Sequence, residues 1–301
     1  MGLAACITTR NRPQELEACL QALWNSTVKP QVAIVSDDSP DLTVQQKNRE
    51  IVHQFPGTTY VLGPQRGVCA NRNNAVNNVI GTDLVVFLDD DVCVESEFIS
   101  LALIRYKQLS TQQQKCTILS GITLDNYGQN VVGPTKLSFR GYFCPAEVPE
   151  SANIHAAVFP RSFFDQEQWD ENIFFGYEDA ELSLRAIRAG YTILFCPDLK
   201  ALPSCFGEGS LVTPSIAGMT NYELYIESAR LYVGIKRYKY LFPNFFKLIT
   251  FVSIYLIHII LFLTKRQALQ ALPTILLRSQ AQKLWSSYRF EHYSKPLEEG
   301  C

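Results

Sequence analysis

The stretch Leu84-Val85-Val86-Phe87-Leu88-Asp89-Asp90-Asp91-Val92 decides the fold. A continuous β-branched and aromatic run of this length suits a strand covered on both faces, as in a parallel sheet. It ends in three adjacent carboxylates where a buried strand should emerge, and ligands of open α/β sheets bind at such carboxyl ends. Adjacent acids repel one another, so a positive partner is expected among them. In extended geometry Asp89 and Asp91 point to one side and Asp90 to the other. That spacing lets Asp89 and Asp91 approach one hard divalent cation, Mg²⁺ or Mn²⁺, that also holds phosphate oxygens. A solvated acidic turn is the competing reading of a bare Asp-x-Asp; three acids directly after a buried strand favour the cation.

Working back from this stretch, Ala4 to Thr9 reads as a first strand, followed by the turn Arg10-Asn11-Arg12-Pro13. Pro13 suits a first helical turn, and Leu16, Cys19, Leu20, Leu23 and Trp24 recur at helical spacing. Gln31 to Ser36 make a second strand ending in Asp37 and Asp38. Strand, helix, strand is a βαβ unit, which requires a parallel pair and a right-handed crossover. Asp37 or Asp38 can accept from a base or ribose hydroxyl; for Asp38 a turn or helix cap is an equal reading. A helix over Thr43 to Gln54 and a strand at Tyr60 to Leu62 follow. Gly67 then turns into a helix carrying Arg72, and a helix start with a nearby guanidinium can cradle a diphosphate. An Arg on a solvated helix surface is the plainer reading of Arg72 alone.

Beyond the acids, Ser96 to Leu109 read as a helix and Cys116 to Ile122 as a strand. Residues 125 to 153 are rich in Gly, Pro and Asn and lack periodicity; such long irregular segments tend to be functional, and acceptor contacts are expected there. Trp169 to Arg185 bring an aromatic patch to the acid pair Glu178-Asp179 at a helix start. Helix-dipole complementarity accounts for the pair but not for its aromatic flanks, which can exclude water from a catalytic carboxylate and tune its pKa. Tyr191 to Phe195 give a further strand, closed by Cys196-Pro197-Asp198.

The 301 residues are 47% apolar and 19% charged, a globular composition compatible with one large domain or one domain plus an appendage. The net charge of −2 gives no sign of nucleic-acid binding, but the charge is unevenly spread. Residues 1–229 hold 16 Lys and Arg against 26 Asp and Glu, a balance of −10; residues 230–301 hold 11 against 3, a balance of +8. A catalytic domain over 1–229 and a basic, hydrophobic helical segment over 230–301 are therefore expected. Leu248 to Leu263 is uncharged, and with Phe245 and Phe246 it becomes long enough to span a bilayer. Ala268 to Leu277 suits an interfacial helix on anionic lipid. The nine cysteines show no C-x-x-C pairing, and no basic segment with a long apolar core opens the chain, so a cytosolic body attached to the cytoplasmic side of a membrane is expected.

Several motifs in order resemble a family-2 glycosyltransferase of the GT-A fold: Thr8-Thr9-Arg10-Asn11-Arg12, Ser36-Asp37-Asp38-Ser39, Gly67 with Arg72-Asn73, Asp89-Asp90-Asp91, and Trp169-Asp170-Glu171 followed by Gly176 to Arg185. The resemblance covers about two-thirds of the chain. It implies a Rossmann-like, mostly parallel sheet flanked by helices, and sugar transfer with inversion from a nucleotide-diphosphate sugar to a glycan or lipid-linked acceptor. It implies that Thr8, Thr9, Arg10, Arg12 and Asp37 or Asp38 hold the base and ribose. Asp89 and Asp91, beside Asp90, would bind a metal bridging the diphosphate, and Arg72 would assist. Asp179 would be the base that deprotonates the acceptor, with Glu178 beside it. One departure stands out: no histidine occurs in Leu199 to Glu208, where many members complete the metal site, leaving Cys205, Glu208 or a smaller ligand set. His155 precedes the acid motif and can line the cleft, with an ordinary packed or surface histidine the commoner reading. Two other readings compete, a sugar-nucleotide nucleotidyltransferase and a non-catalytic membrane-bound sugar-binding scaffold; the absence of glycine in Thr8 to Pro13 counts against the first.

Overall fold

The computed structural model describes residues 1–125, 128–203, 210–212 and 214–285. Its first part alternates strand and helix: β1 (Leu3–Thr9), α1 (Pro13–Trp24), β2 (Val32–Asp37), α2 (Leu42–Val52), β3 (Thr58–Leu62), α3 (Val68–Asn77) and β4 (Leu84–Asp89). β5 (Val92–Val94), α4 (Phe98–Gln108), α5 (Thr111–Cys116), β6 (Thr117–Leu124) and the short β7 (Asn130–Val132), β8 (Thr135–Leu137) and β9 (Phe143–Pro145) follow. Then come β10 (Ala157–Pro160), α6 (Phe163–Gln166), α7 (Glu178–Arg188), β11 (Thr192–Pro203), α8 (Asn221–Lys236), α9 (Phe245–Lys265) and α10 (Leu272–Arg278).

The main sheet runs β3-β2-β1-β4-β10-β6-β11-β5, with β7 added beside β6. β3, β2, β1 and β4 are parallel, and β11 is parallel to β6. β10 is inserted antiparallel between β4 and β6. The expected mostly parallel α/β architecture is therefore present. The two faces of the sheet are read directly by alternation. On β1 and β4, Ala4, Cys6, Val85 and Phe87 face one core layer, with α3, α7, α8 and α9. Leu3, Ala5, Ile7, Leu84, Val86 and Leu88 face the other, with α1, α2 and α4. Burial on both faces is why β4 is apolar at every position up to Asp89.

Register places the functional edge. Thr9 lies opposite Asp37 and Thr8 opposite Asp89, so the carboxyl ends of β1, β2 and β4 share one rim. Two local expectations change. β11 does not close at Cys196-Pro197-Asp198 but continues to Pro203, because a register shift between Phe195 and Lys200 accommodates Pro197, which donates no ladder bond. The segment 125–153 is not wholly irregular, since β8 and β9 form a small antiparallel hairpin.

The boundary expected at 229/230 falls inside α8, one continuous helix with a capping box at Thr220 and Glu223. A π-helical turn, Arg237–Leu241, joins it to the 21-residue α9, capped by Asn244. The buried Cys6, Cys19 and Cys69 are free thiols.

Candidate active site

β4 ends at Asp89, and Asp90 and Asp91 form a tight turn before β5. The alternation expected of an extended chain therefore stops one residue early, and the three carboxylates separate differently. Asp89 accepts from Arg72 Nη2 at 2.9 and 3.1 Å and from Thr8 Oγ1 at 3.1 Å, and His155 Nε2 lies 3.4 Å away. Asp90 accepts from Thr9 Oγ1 at 2.8 Å and from Arg12 Nη1 at 3.0 Å. Arg12 Nη1 also donates to Asp91 at 2.6 Å, so Asp90 and Asp91 share one cation.

These contacts set the charges. Burial works against ionisation of Asp89, but Arg72 and His155 outweigh it and hold the carboxyl well below the usual range. Burial dominates at Asp90, against the opposing pull of Arg12, and pushes its carboxyl up to about 7. His155, desolvated yet bonded to Asp89, has its pKa raised.

Arg72 is neither a solvated helix residue nor part of a diphosphate cradle on the cleft wall. Its side chain is 2% exposed, and Nη1 donates to Glu178 at 3.0 Å while Nη2 holds Asp89. The guanidinium sits 4.9 Å from the Trp169 ring centroid. Arg72 thus joins the acid at the end of β4 to the acid pair at the start of α7. Gly67, with φ of +100°, lets the chain enter α3 against Phe174, whose backbone oxygen would lie 2.9 Å from any added Cβ.

The α7 start is held by unusual backbone. Gly176 has φ of +84°, and Tyr177 follows in the left-handed region at +63° as a buried, non-glycine residue stacked on Phe143. Such a conformation costs on the order of 1–3 kcal/mol and persists where packing fixes it. It delivers Glu178 and Asp179 to the first turn of α7. Among the described residues Asp179 accepts one local bond, from Ala180 N at 2.7 Å. Burial first, then the charge of neighbouring Glu178, push its carboxyl up to about 7. Glu178 Oε2 is buried without a hydrogen-bond partner among the described residues.

Asp37 and Asp38 part company. Asp37 is 1% exposed and accepts from Ser39 N, Asn48 Nδ2 and Tyr60 Oη at 2.8 to 2.9 Å, which makes it an anchor inside the sheet edge. Asp38 turns to the cleft, accepts from Gln65 N at 2.8 Å, and is raised by burial. The cleft holds about 420 Å³ and is lined by Thr8, Thr9, Arg10, Arg12, Asp38, Asn71, Asp89, Asp90, Asp91 and His155, with Phe174, Phe175 and Tyr222 among its apolar wall. Asp37, Arg72, Glu178 and Asp179 are not on that wall. Thr8, Thr9 and Arg12 are expected to grip a base and ribose; in the structure their side chains brace the acids instead.

His155, for which an ordinary packed or surface role is the commoner reading, lines the cleft. It lies 66 positions from Asp89 in sequence, on a single 3-10 turn, Ile154–Ala156, and no local pattern marks it. The described residues contain no group of three His, Cys, Asp or Glu placed to close around an ion. Asp91 nevertheless has a 40% exposed carboxylate on the cleft wall, and its Oδ1 takes no hydrogen bond among the described residues. That fits a cation held by one or two carboxylates and completed by phosphate oxygens. Cys205 and Glu208, the substitutes considered for the missing histidine, lie outside the described residues.

Residues 4–119 match the model of glycosyl transferase family 2. No curated protein sequence matches the chain. Among solved structures, GalNAc-T7 with UDP, GalNAc and Mn²⁺ is 12% identical with a TM-score of 0.56, over 79% of this chain and 50% of that one. Staphylococcus aureus TarS is 15% identical with a TM-score of 0.53, over 78% of this chain and 38% of that one. Residues 1–349 of TarS in complex with UDP-GlcNAc are 16% identical with a TM-score of 0.53, over 78% and 67%. The chain thus spans half or less of the full chains of GalNAc-T7 and TarS. The strands and acids that build the cleft carry the sequence pattern of glycosyl transferase family 2, on a GT-A fold.

Proposed function

We propose that the chain is an inverting glycosyltransferase that moves a sugar from a nucleotide-diphosphate sugar to a hydroxyl of a glycan or lipid-linked acceptor near a membrane. The observation that carries this reading is the pairing of two unlike acid groups through one buried cation: Asp89 at the cleft, and Glu178 with the neighbouring Asp179, raised to about 7, behind Arg72. Solved neighbours of the same fold contain UDP, or UDP-GlcNAc, which supports a nucleotide-sugar donor.

In this reading the donor lies in the 420 Å³ cleft, with Asp38 accepting from its base or ribose and Arg10 and Arg12 near its phosphates. Asp179 takes the acceptor hydroxyl proton, and the acceptor oxygen forms a bond to the anomeric carbon from the face opposite the diphosphate. The anomeric C–O bond breaks with its electron pair leaving on the nucleoside diphosphate. A base that titrates near 7 is ionised enough at neutral pH to act and basic enough to assist. A Mn²⁺ or Mg²⁺ ion bound at Asp91, with Asp89 behind it, would stabilise the negative charge that grows on the leaving diphosphate. The basic, apolar C-terminal layer supports attachment to a membrane, taken in this reading as its cytoplasmic side, with the catalytic and membrane functions dividing near the α8–α9 connection.

The deciding experiment incubates the full chain with a panel of nucleotide-diphosphate sugars, with and without Mn²⁺, and follows thermal shift and release of nucleoside diphosphate. Stabilisation by one donor together with acceptor-dependent release supports transfer. No response to any donor returns the fold to a scaffold role, and pyrophosphate formation from a nucleoside triphosphate and a sugar phosphate would instead mark a nucleotidyltransferase.

A further inference from the structure

α9 is apolar on two opposite sides. Phe251, Tyr255, Ile259 and Leu263 recur every four residues and are buried against the body. The fit there is close: a Cβ on Gly234 of α8 would lie 2.0 Å from the Phe251 ring, and Tyr255 Oη donates to the Glu227 carbonyl at 3.0 Å. The outer side presents Phe246, Ile249, Leu256, Ile257, Ile260 and Leu261, each 37–81% exposed. Leu269 and Leu277, 50% and 71% exposed, continue it past the end of the helix. Exposed Lys247 lies in the first turn of α9 and exposed Lys265 and Arg266 at its end, and residues 230–285 contain no Asp or Glu.

Length alone does not say how such a helix meets a membrane. Its 21 residues reach about 31 Å, enough for a hydrocarbon core of roughly 30 Å. Spanning, however, would carry the packed partner with it. α8 runs beside α9 and holds Arg230 and Glu227 as an ion pair, with Arg230 4.6 Å from the Tyr255 ring. Charged groups at a bilayer centre are costly and are rarely found there. A helix lying in the interface immerses only its outer side and leaves α8 in water.

We propose that α9 lies in the plane of an anionic membrane, with its outer apolar side and Leu269 and Leu277 at the headgroup–acyl boundary and the flanking Lys and Arg among lipid phosphates. This seating brings the catalytic opening to the lipid surface. Arg266, just past α9, pairs with Glu223 in the first turn of α8, and the adjacent Tyr222 lines the cleft. The acceptor is then a hydroxyl on a membrane-resident, lipid-linked molecule; that last step rests on the glycosyl-transfer reading, whereas the seating does not.

The full chain is tested by flotation with phosphatidylcholine vesicles with and without phosphatidylglycerol, and by light scattering. The expected result is binding to anionic vesicles that weakens with salt and falls at least about tenfold in I257D/I260D. Depth is read with I257W and brominated lipids against the unsubstituted chain. Residue 257 sits mid-helix, so an in-plane helix is quenched most by bromines near the headgroups and a spanning helix by bromines near the chain ends. Deep quenching, equal binding by I257D/I260D, or a dimer that I257D/I260D dissolves and vesicles do not, overturns the proposal. Donor-induced thermal shift in detergent needs no bilayer, so its loss would sink the transfer reading while leaving the vesicle result standing.

Discussion

The two acid groups of this protein are both carboxylate clusters, and they differ most between Asp89 and Asp179. At the end of β4, each carboxylate has a cation: Arg72 and His155 for Asp89, Arg12 for Asp90 and Asp91. At the start of α7, Arg72 serves Glu178, and Asp179 takes a hydrogen bond from the Ala180 N–H, with burial and its like-charged neighbour outweighing the more distant pull of Arg72 and His155. Asp89 stays ionised beside its cations, whereas at Asp90 and at Asp179 burial outweighs the opposing charge and pushes each carboxyl up to about 7. The difference is one of partners, not of sequence.

Asp179→Asn should break the contrast most severely. Its turnover is expected to fall about 10²- to 10⁴-fold while donor affinity, read by isothermal titration, stays near that of the unsubstituted protein. Turnover near the original rate would remove Asp179 from the base role. The same residue gives a pH signature. Its folded-state pKa of about 7 lies above its usual value of 3.8, so its proton stabilises the fold fully below about 4 and this is lost as pH rises through 7. The activity of the unsubstituted protein should therefore rise through pH 7 as the base ionises. Asp179→Asn should melt higher than the unsubstituted protein at pH 8, with the gap closing toward pH 4. A pH-independent gap would mean the carboxylate is not held protonated at neutral pH.

Arg72→Met removes the cation that both groups share. Leaving Asp89 and Glu178 without it should cost about 3–5 kcal/mol in urea unfolding, and a loss under about 1 kcal/mol would show the link to be incidental. Asp37→Asn and Asp38→Asn sharpen the comparison at the donor end. Asp37→Asn should lower stability by about 1–3 kcal/mol, because Asn48 and Tyr60 lose a charged acceptor. Asp38→Asn should leave stability nearly unchanged and weaken donor binding about tenfold. Equal effects of the two on donor binding would contradict the assignment of Asp38 alone to the cleft.

Much of this was legible in the residues. The βαβ opening, the strand buried on both faces and the rim of acids follow from periodicity and from where the apolar runs stop. The contacts within the rim were not legible, because they join residues far apart: Thr8 to Asp89, Arg12 to Asp91 and Arg72 to Glu178 are separated by 79 to 106 positions. Alternation alone does not foresee the turn at Asp90, which pairs Asp91 with Asp90 at Arg12 while Asp89 and Asp91 still line one cleft. β10 was not assigned at all, since four residues ending in Pro160 carry too little pattern. Pro197 ended a strand by rule, and only the register shift in β11 shows why it is tolerated.

Lys236 has a practical consequence for anyone shortening this chain. Its Nζ meets Asp170 at 2.7 Å and Glu181 at 2.6 Å, both buried beneath the acceptor-side acids. A cut at the change in composition, after residue 229, would yield a soluble-looking fragment whose interior holds orphaned negative charge a short step from Asp179. The apolar helix can be trimmed away only by a cut that keeps α8 whole, so the layer that holds Asp179 and the helix packed beside it stand as one piece of hardware.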